Sequence, residues 1–183
     1  MFDVEKFVNG CRDALNEPDP AARVKELVTE AIASPDEVRD AFEQAENFER
    51  QGPITFTNRD TTLSVADVTT PPGLKSPAHN HQMWAVIGVY EGQEHNRFYQ
   101  YDGNELRENG ERLLQEGDVV VLDAEAIHSI ANPLPTSSSA IHVYGGDLVE
   151  RDERSMWNPH SLEREDYEIT KLIEYVKEMS EPS

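Results

Sequence analysis

From Gly52-Pro53 to about residue 149 the chain is a succession of short β-branched and aromatic runs separated by turn residues. The runs are Ile54–Thr57, Leu63–Thr69, Trp84–Tyr90, Phe98–Tyr101, Val119–Leu122, Ile127–Ile130 and Ala140–Tyr144. Pro71-Pro72-Gly73, Glu91-Gly92, Asp102-Gly103, Asn109-Gly110 and Gly145-Gly146 punctuate them. Runs this short, rich in residues that suit a pleated surface, read as strands, and glycine and proline mark the reversals between them. Many short strands at this spacing predict a sandwich or a barrel.

Residues 1–50 carry a different period. Val4, Phe7, Val8, Cys11 and Leu15 fall on one face of a helix. Asp19-Pro20 reads as an N-cap with proline at the first helical position, and Val24, Leu27, Val28 and Ala31 line the helix that follows. Ser34-Pro35-Asp36-Glu37 repeats the start signal with a capping box from Ser34 to Glu37, and Val38, Phe42 and Ala45 continue a third helix. Beyond residue 150 the chain is charged and irregular until a last helix at about Thr170–Met179, with Leu172, Ile173 and Val176 on one face. The expected organisation is a helical segment at 1–50 packed on a barrel at 51–160, then a tail and helix at 161–183.

Charge narrows the choice of partners. Sixteen Lys and Arg against 36 Asp and Glu give a formal charge of −20. Such a field repels phosphate, so neither nucleic acid nor an anionic membrane surface is an expected partner. The excess acid reads either as a solubilising surface or as adaptation to high salt. No apolar run approaches the roughly 18 residues of a membrane span, and the start MFDVEKFVNG has no secretory apolar region. Cys11 is the sole cysteine, which excludes an internal disulfide and a cysteine-ligated zinc site. It reads as a small hydrophobe in the first helix. The cytoplasm is the expected compartment, and a monomer or homodimer the expected state.

Chemistry is concentrated in the histidines at 79, 81, 95, 128, 142 and 160. His79-Asn80-His81 puts two imidazoles on one strand face, because side chains alternate along a strand. Two imidazoles on one inner face can bind one cation at about 2 Å each. Gly73 precedes His79 by a G-x5-H-x-H spacing, with Gly92 as a later glycine. Gly117, Asp123, Glu125, His128 and Asn132 follow a G-x5-P-x-G-x2-H-x3-N spacing, with Asp123 and Glu125 in the proline and glycine places. In these two blocks the chain resembles the cupin superfamily, over roughly residues 50–160. The resemblance implies a mainly β fold, a double-stranded β-helix (jelly-roll) barrel holding a metal near one mouth.

The glutamate usual after the second cupin histidine is replaced by Ala85 or Val86. That leaves His79, His81 and His128 as a neutral three-histidine set, similar to the thiol dioxygenases of the cysteine dioxygenase type. HNHQMWAVIGVYEGQEHNRFY resembles a stretch of their bacterial members, and Ile141-His142-Val143-Tyr144-Gly145 resembles the strand with their Ser-x-His-x-Tyr relay. The relay serine falls at Ala140, and Ser139 points to the other face. With Cys11 far off in a helix, no cysteine–tyrosine crosslink is expected. The resemblance implies Fe(II) as cofactor, with Zn or Ni fitting the same ligands. It further implies a small carboxylated thiol and O2 as partners, and a sulfinate product.

Within this reading Tyr144 orients the bound ligands and His142 fixes its hydroxyl. Arg154 is favoured as the clamp for the substrate carboxylate, ahead of Arg59, with Arg97 third. Gln82 is a candidate polar contact, and Met83 and Trp84 are pocket wall or core. Glu94 is either a fourth ligand or, by preference, the partner of Arg97. His95 and His160 are expected at the surface, and Asn132 is expected to hold the turn after His128. Two alternatives stay open: a cupin lyase, isomerase or other dioxygenase, and a metal- or ligand-binding cupin without catalysis.

Overall fold

The jelly-roll expectation is met. The computed structural model describes residues 1–44 and 48–180; Ala45 of the expected third helix and the end of the expected tail lie outside the described residues. Helices α1 (Val4–Ala14), α2 (Pro20–Ile32) and α3 (Pro35–Glu43) come first. Strands β1 (Glu49–Gln51), β2 (Ile54–Arg59), β3 (Ser64–Thr70), β4 (His79–Asn80), β5 (Ala85–Glu91) and β6 (Gln93–Tyr101) follow. Then come β7 (Leu106–Gln115), β8 (Val119–Leu122), β9 (Ile127–Ala131), β10 (Ser138–Tyr144), β11 (Ser155–Trp157), β12 (Arg164–Asp166) and helix α4 (Ile169–Ser180). The strands form two sheets, ordered β1-β2-β3-β10-β5-β8 and β12-β11-β4-β9-β6-β7, and all their pairings are antiparallel. Without the flanking strands, β3 to β10 pair as β3-β10-β5-β8 facing β4-β9-β6-β7, the strand order of a double-stranded β-helix.

Alternation along the strands decides what faces what. Ala85, Ile87 and Val89 of β5 join Ala140 and Tyr144 of β10, Ala66 of β3 and Leu114 of β7 in one cluster between the sheets. Val86 and Tyr90, with Ile141 and Val143, point the other way and pack under the helices with Phe7, Cys11, Val24, Val28 and Phe42. The N-terminal helices therefore cover the outer face of the first sheet. At Gly88 the covering is closest, since a Cβ there would lie 2.3 Å from Val28 Cγ1. Cys11 is a buried wall residue whose thiol burial pushes up to about 12.

Some local expectations need correction. Asp19 caps α2 by accepting from the Ala22 amide, but the Ser34 side chain makes no capping bond and Glu37 instead pairs with the N-terminal amine. Asn109-Gly110 is no chain reversal. It lies inside β7, where a register shift opposite Phe98 and Tyr99 leaves Asn109 unpaired beside Gly110 at φ +129°. The irregular stretch after residue 150 supplies β11 and β12, so the second sheet runs to Asp166, past the expected barrel end at 160. Among the described residues, no helix is long and apolar enough to cross a membrane.

Candidate metal centre

His79 lies on β4, a strand of two residues gripped between β9 and β11, opposite His128 on one side and Met156 on the other. Directly paired residues project to the same face, so His79 and His128 both point between the sheets. His81 follows at the same parity, and Gln82, half-buried with φ +55°, turns the chain away. The three rings are buried, and one nitrogen of each lies within 4.8 Å of the others. His81 Nε2 and His128 Nε2 are 3.0 Å apart. Two ligands at about 2.1 Å from one cation, at right angles, stand about 3 Å apart. The expected set of His79, His81 and His128 is thus brought together.

Hydrogen bonds behind the rings determine which nitrogens are free. The Pro77 carbonyl only accepts, so His79 Nδ1 carries a proton and donates to it at 3.0 Å. Asn96 Nδ2 donates to the Glu94 carboxylate at 2.8 Å, which leaves Asn96 Oδ1 to accept from His128 Nδ1 at 2.8 Å. In both rings Nε2 keeps its lone pair for the centre, as metal-bound histidines with such partners do. His81 Nδ1 faces the donor Arg154 Nη2 at 3.4 Å, so its proton sits on Nε2, shared with His128. With a cation held at the convergence point, the neutral His81 ring would carry its proton on Nδ1, and Arg154 Nη2 would give up the contact.

Burial holds all three imidazoles neutral. It pushes His79 down to about 4, and it carries His81 and His128 well below their ordinary value, helped by neighbouring histidines and Arg154. Neutral nitrogen donors in a buried cluster fit a first-row divalent cation, with no ligand proton to expel at neutral pH.

Tyr144 and His142 border the centre from β10. The Tyr144 and His81 ring centroids are 5.0 Å apart, and His142 Nδ1 is 2.8 Å from the Tyr144 hydroxyl, which burial makes harder to ionise. Ser139 indeed faces away, 3.2 Å from Thr69 Oγ1. Arg154 is 4% exposed beside His81, donates from Nε to the Asn80 carbonyl at 3.1 Å and from Nη1 to the Leu148 carbonyl, and lies over the Tyr167 ring. Arg59 points elsewhere: it pairs with Glu49 at 3.1 Å and Asp147 at 3.3 Å. Arg97 is half-exposed near Glu111.

Glu94 does not pair with Arg97. Residues three apart are neighbours on a helix but lie on opposite faces of a strand. On β6 the even positions turn inward, so Glu94 and Asn96 are buried while Arg97 faces out. Glu94 is also not among the converging ligands; its Oε2 lies 3.6 Å from His142 Nε2. Asn96 is the functional neighbour that sequence reading missed, and its even spacing from Glu94 on an inward face was the available signal. Asn132 holds its turn as expected, donating to the Thr70, Pro71 and Thr136 carbonyls and accepting from the Leu134 amide. His160 is exposed, and His95 pairs with Glu111 at 2.9 Å. A cleft of about 400 Å³ on the outer side of β6 and β9 contains His95 and Arg97, and none of the three clustered histidines lines it.

No protein-family model matches the chain. An oxalate oxidase in complex with glycolate aligns at TM-score 0.44 and 19% identity, over 57% of each chain. The Cnp3 cupin domain of Schizosaccharomyces pombe aligns at 0.45 and 12%, over 60% of this chain and 69% of that one. A protein with a double-stranded β-helix domain from Klebsiella pneumoniae subsp. pneumoniae aligns at 0.42 and 16%, over 57% and 88%. This chain thus spans little more than half the length of the oxalate oxidase. The neighbours are cupin-type proteins, and similarity at this level carries no argument about chemistry.

Proposed function

We propose that this chain is a metal-dependent cupin oxidoreductase that converts a small carboxylated thiol and O2 into the corresponding sulfinate. The observation that carries the reading is the convergence of three neutral imidazole nitrogens beside a buried tyrosine–histidine pair and a buried arginine. His79, His81 and His128 would hold Fe(II), which when bound supplies a site where a thiolate and O2 meet. Both oxygen atoms end on sulfur, so the reaction needs no further reductant, and the thiol proton leaves with the product.

The chain's own groups then divide the work. Five guanidinium N–H groups are available to Arg154. Those toward Asn80 and Leu148 stay engaged and the one toward His81 would be released when a cation is held, so three remain for a substrate carboxylate. A buried cation clamps a carboxylate far more firmly than an exposed one, because neither solvent nor the chain's negative surface competes at short range. Tyr144, whose hydroxyl is held by His142 and whose ring lies against His81, would set that hydroxyl oxygen toward a bound ligand. Arg59, with its two carboxylate partners, has no part in this arrangement, and Gln82 would add a polar contact.

The test is oxygen uptake by anaerobically Fe(II)-loaded protein against cysteine, 3-mercaptopropionate, cysteamine and mercaptosuccinate. Stoichiometric uptake with sulfinate product is expected for at least one carboxylated thiol and not for cysteamine. Arg154→Ala should raise KM for that substrate more than for an uncharged thiol. Protein that holds one iron and consumes no oxygen with any thiol would overturn the reading in favour of other cupin chemistry or binding alone.

A further inference from the structure

Five buried side chains form one line through the barrel: His128, Asn96, Glu94, His142 and Tyr144. Their links are His128 Nδ1 to Asn96 Oδ1 at 2.8 Å, Asn96 Nδ2 to Glu94 Oε1 at 2.8 Å, and Tyr144 hydroxyl to His142 Nδ1 at 2.8 Å. The remaining step, His142 Nε2 to Glu94 Oε2, is 3.6 Å, just beyond hydrogen-bond length. His142 Nε2 is one of two buried side-chain polar atoms without a partner among the described residues. A buried nitrogen left open is costly, and so is a buried carboxylate with a single amide donor. The two incomplete groups face each other. Contacts of this kind in ligand-free sites are often long and close when the site is filled.

We propose that Glu94 is a positioning residue that fixes the direction of the His142–Tyr144 hydrogen bond and, through Asn96, the orientation of His128. A carboxylate only accepts, so His142 facing it carries its proton on Nε2. Its Nδ1 then has the lone pair, and the Tyr144 hydroxyl must donate to it. The proton of Tyr144 is thereby committed away from the metal centre. Its oxygen offers only lone pairs there, and a ligand that brings a donor is favoured over one that brings an acceptor. The same carboxylate orients the Asn96 amide so that its oxygen meets His128. One buried negative charge thus connects a metal ligand to the tyrosine on the opposite sheet. The role in ligand orientation rests on the proposed metal site; the hydrogen-bond direction does not.

That difference shapes the experiment. Full-length protein labelled with 15N-histidine is examined by long-range 1H–15N correlation, and His142→Gln identifies the His142 signals. The wild type is expected to show His142 protonated on Nε2. In Glu94→Gln the amide oxygen keeps Asn96 and the amide nitrogen donates to His142, so the ring is expected to switch to the Nδ1 proton. A wild-type ring protonated on Nδ1, or on both nitrogens, overturns the proposal, as does a Glu94→Gln ring that does not switch. If the glutamine variant fails to fold, Glu94→Asp draws the carboxylate back by one methylene. The preference of the His142 ring for the Nε2 proton should then weaken, and an unchanged tautomer ratio overturns the proposal. In Fe(II)-loaded protein Glu94→Gln should lower thiol-dependent kcat by about 10–100-fold, with KM changed less. Absence of oxygen uptake in the wild type would remove the proposed reaction, while the tautomer measurement would still decide the role of Glu94.

Discussion

Asn96 is fully buried and joins two groups that nothing else joins, so its removal should be felt twice. Asn96→Ala strands the Nδ1 proton of His128 and one acceptor oxygen of the Glu94 carboxylate. Each stranded group costs about 1–3 kcal/mol, so the metal-free variant should lose roughly 2–6 kcal/mol of stability. The second effect concerns the cation. Without its anchor the His128 ring can rotate or exchange tautomers, and losses of such partners weaken metal affinity by about 10–100-fold. At saturating metal, that is about 1.4–2.7 kcal/mol less stabilisation. For a chain of this size each kcal/mol moves Tm by about 2–4 °C, so the Zn-induced rise in Tm should shrink by about 3–11 °C. Calorimetry with and without Zn, together with a competitive Zn titration, measures both effects. Asn96→Asp separates them: it still accepts from His128 but sets a second carboxylate against Glu94, so it should lose stability and keep most of the affinity. A Zn-induced rise in Asn96→Ala as large as the wild type's would refute the claim that Asn96 orients His128.

Two further outcomes follow from burial. Gly88→Ala places a Cβ 2.3 Å from Val28 Cγ1 and 3.3 Å from Ile32 Cδ1. Such overpacking costs about 1–3 kcal/mol. Val28→Ala should recover part of that loss in urea denaturation, and strictly additive losses would show that α2 is not seated on Gly88. For acid, His79 has a folded value of about 4, below the ordinary 6.5, because of burial. The unfolded chain therefore binds the extra proton first, so apo stability should be level above pH 6.5 and fall as pH drops toward 4. His81 and His128 shift the same way and steepen the fall. An apo protein whose urea midpoint does not fall over that range would contradict neutral, buried imidazoles.

The barrel and the three clustered histidines were legible because their signals are local. His79, His81 and His128 sit at fixed distances from Gly73 and Gly117, and each strand with a β-branched run was recognisable from that run. What escaped was set by partners far away in sequence. β7, LRENGERLLQ, is polar because it is an edge strand exposed over most of its length, so no hydrophobic alternation marks it. Asn109-Gly110 resembles a reversal, and only the pairing with β6 shows it as a bulge. Arg154 was reached through the resemblance; its charged stretch alone predicts solvent, and only the fold shows that Asn80, Leu148 and Tyr167 receive its guanidinium. The expected pair of Glu94 with Arg97 does not form, because residues three apart face opposite sides of a strand.

The brevity of β4 has a consequence for how the protein is made. Two residues cannot hold a strand by their own pairing; His79 stays in line because β9 lies on one side and Met156 of β11 on the other. Asn80 is likewise tied to the Ser155 amide at 2.7 Å and to Arg154. A nascent chain that has emerged as far as His128 therefore contains all three clustered histidines and still cannot bring them together. The centre can form only after the segment around Met156 leaves the ribosome and closes the sheet. Chains arrested before that point should bind Zn no better than a chain lacking His79, although no ligand is missing from them.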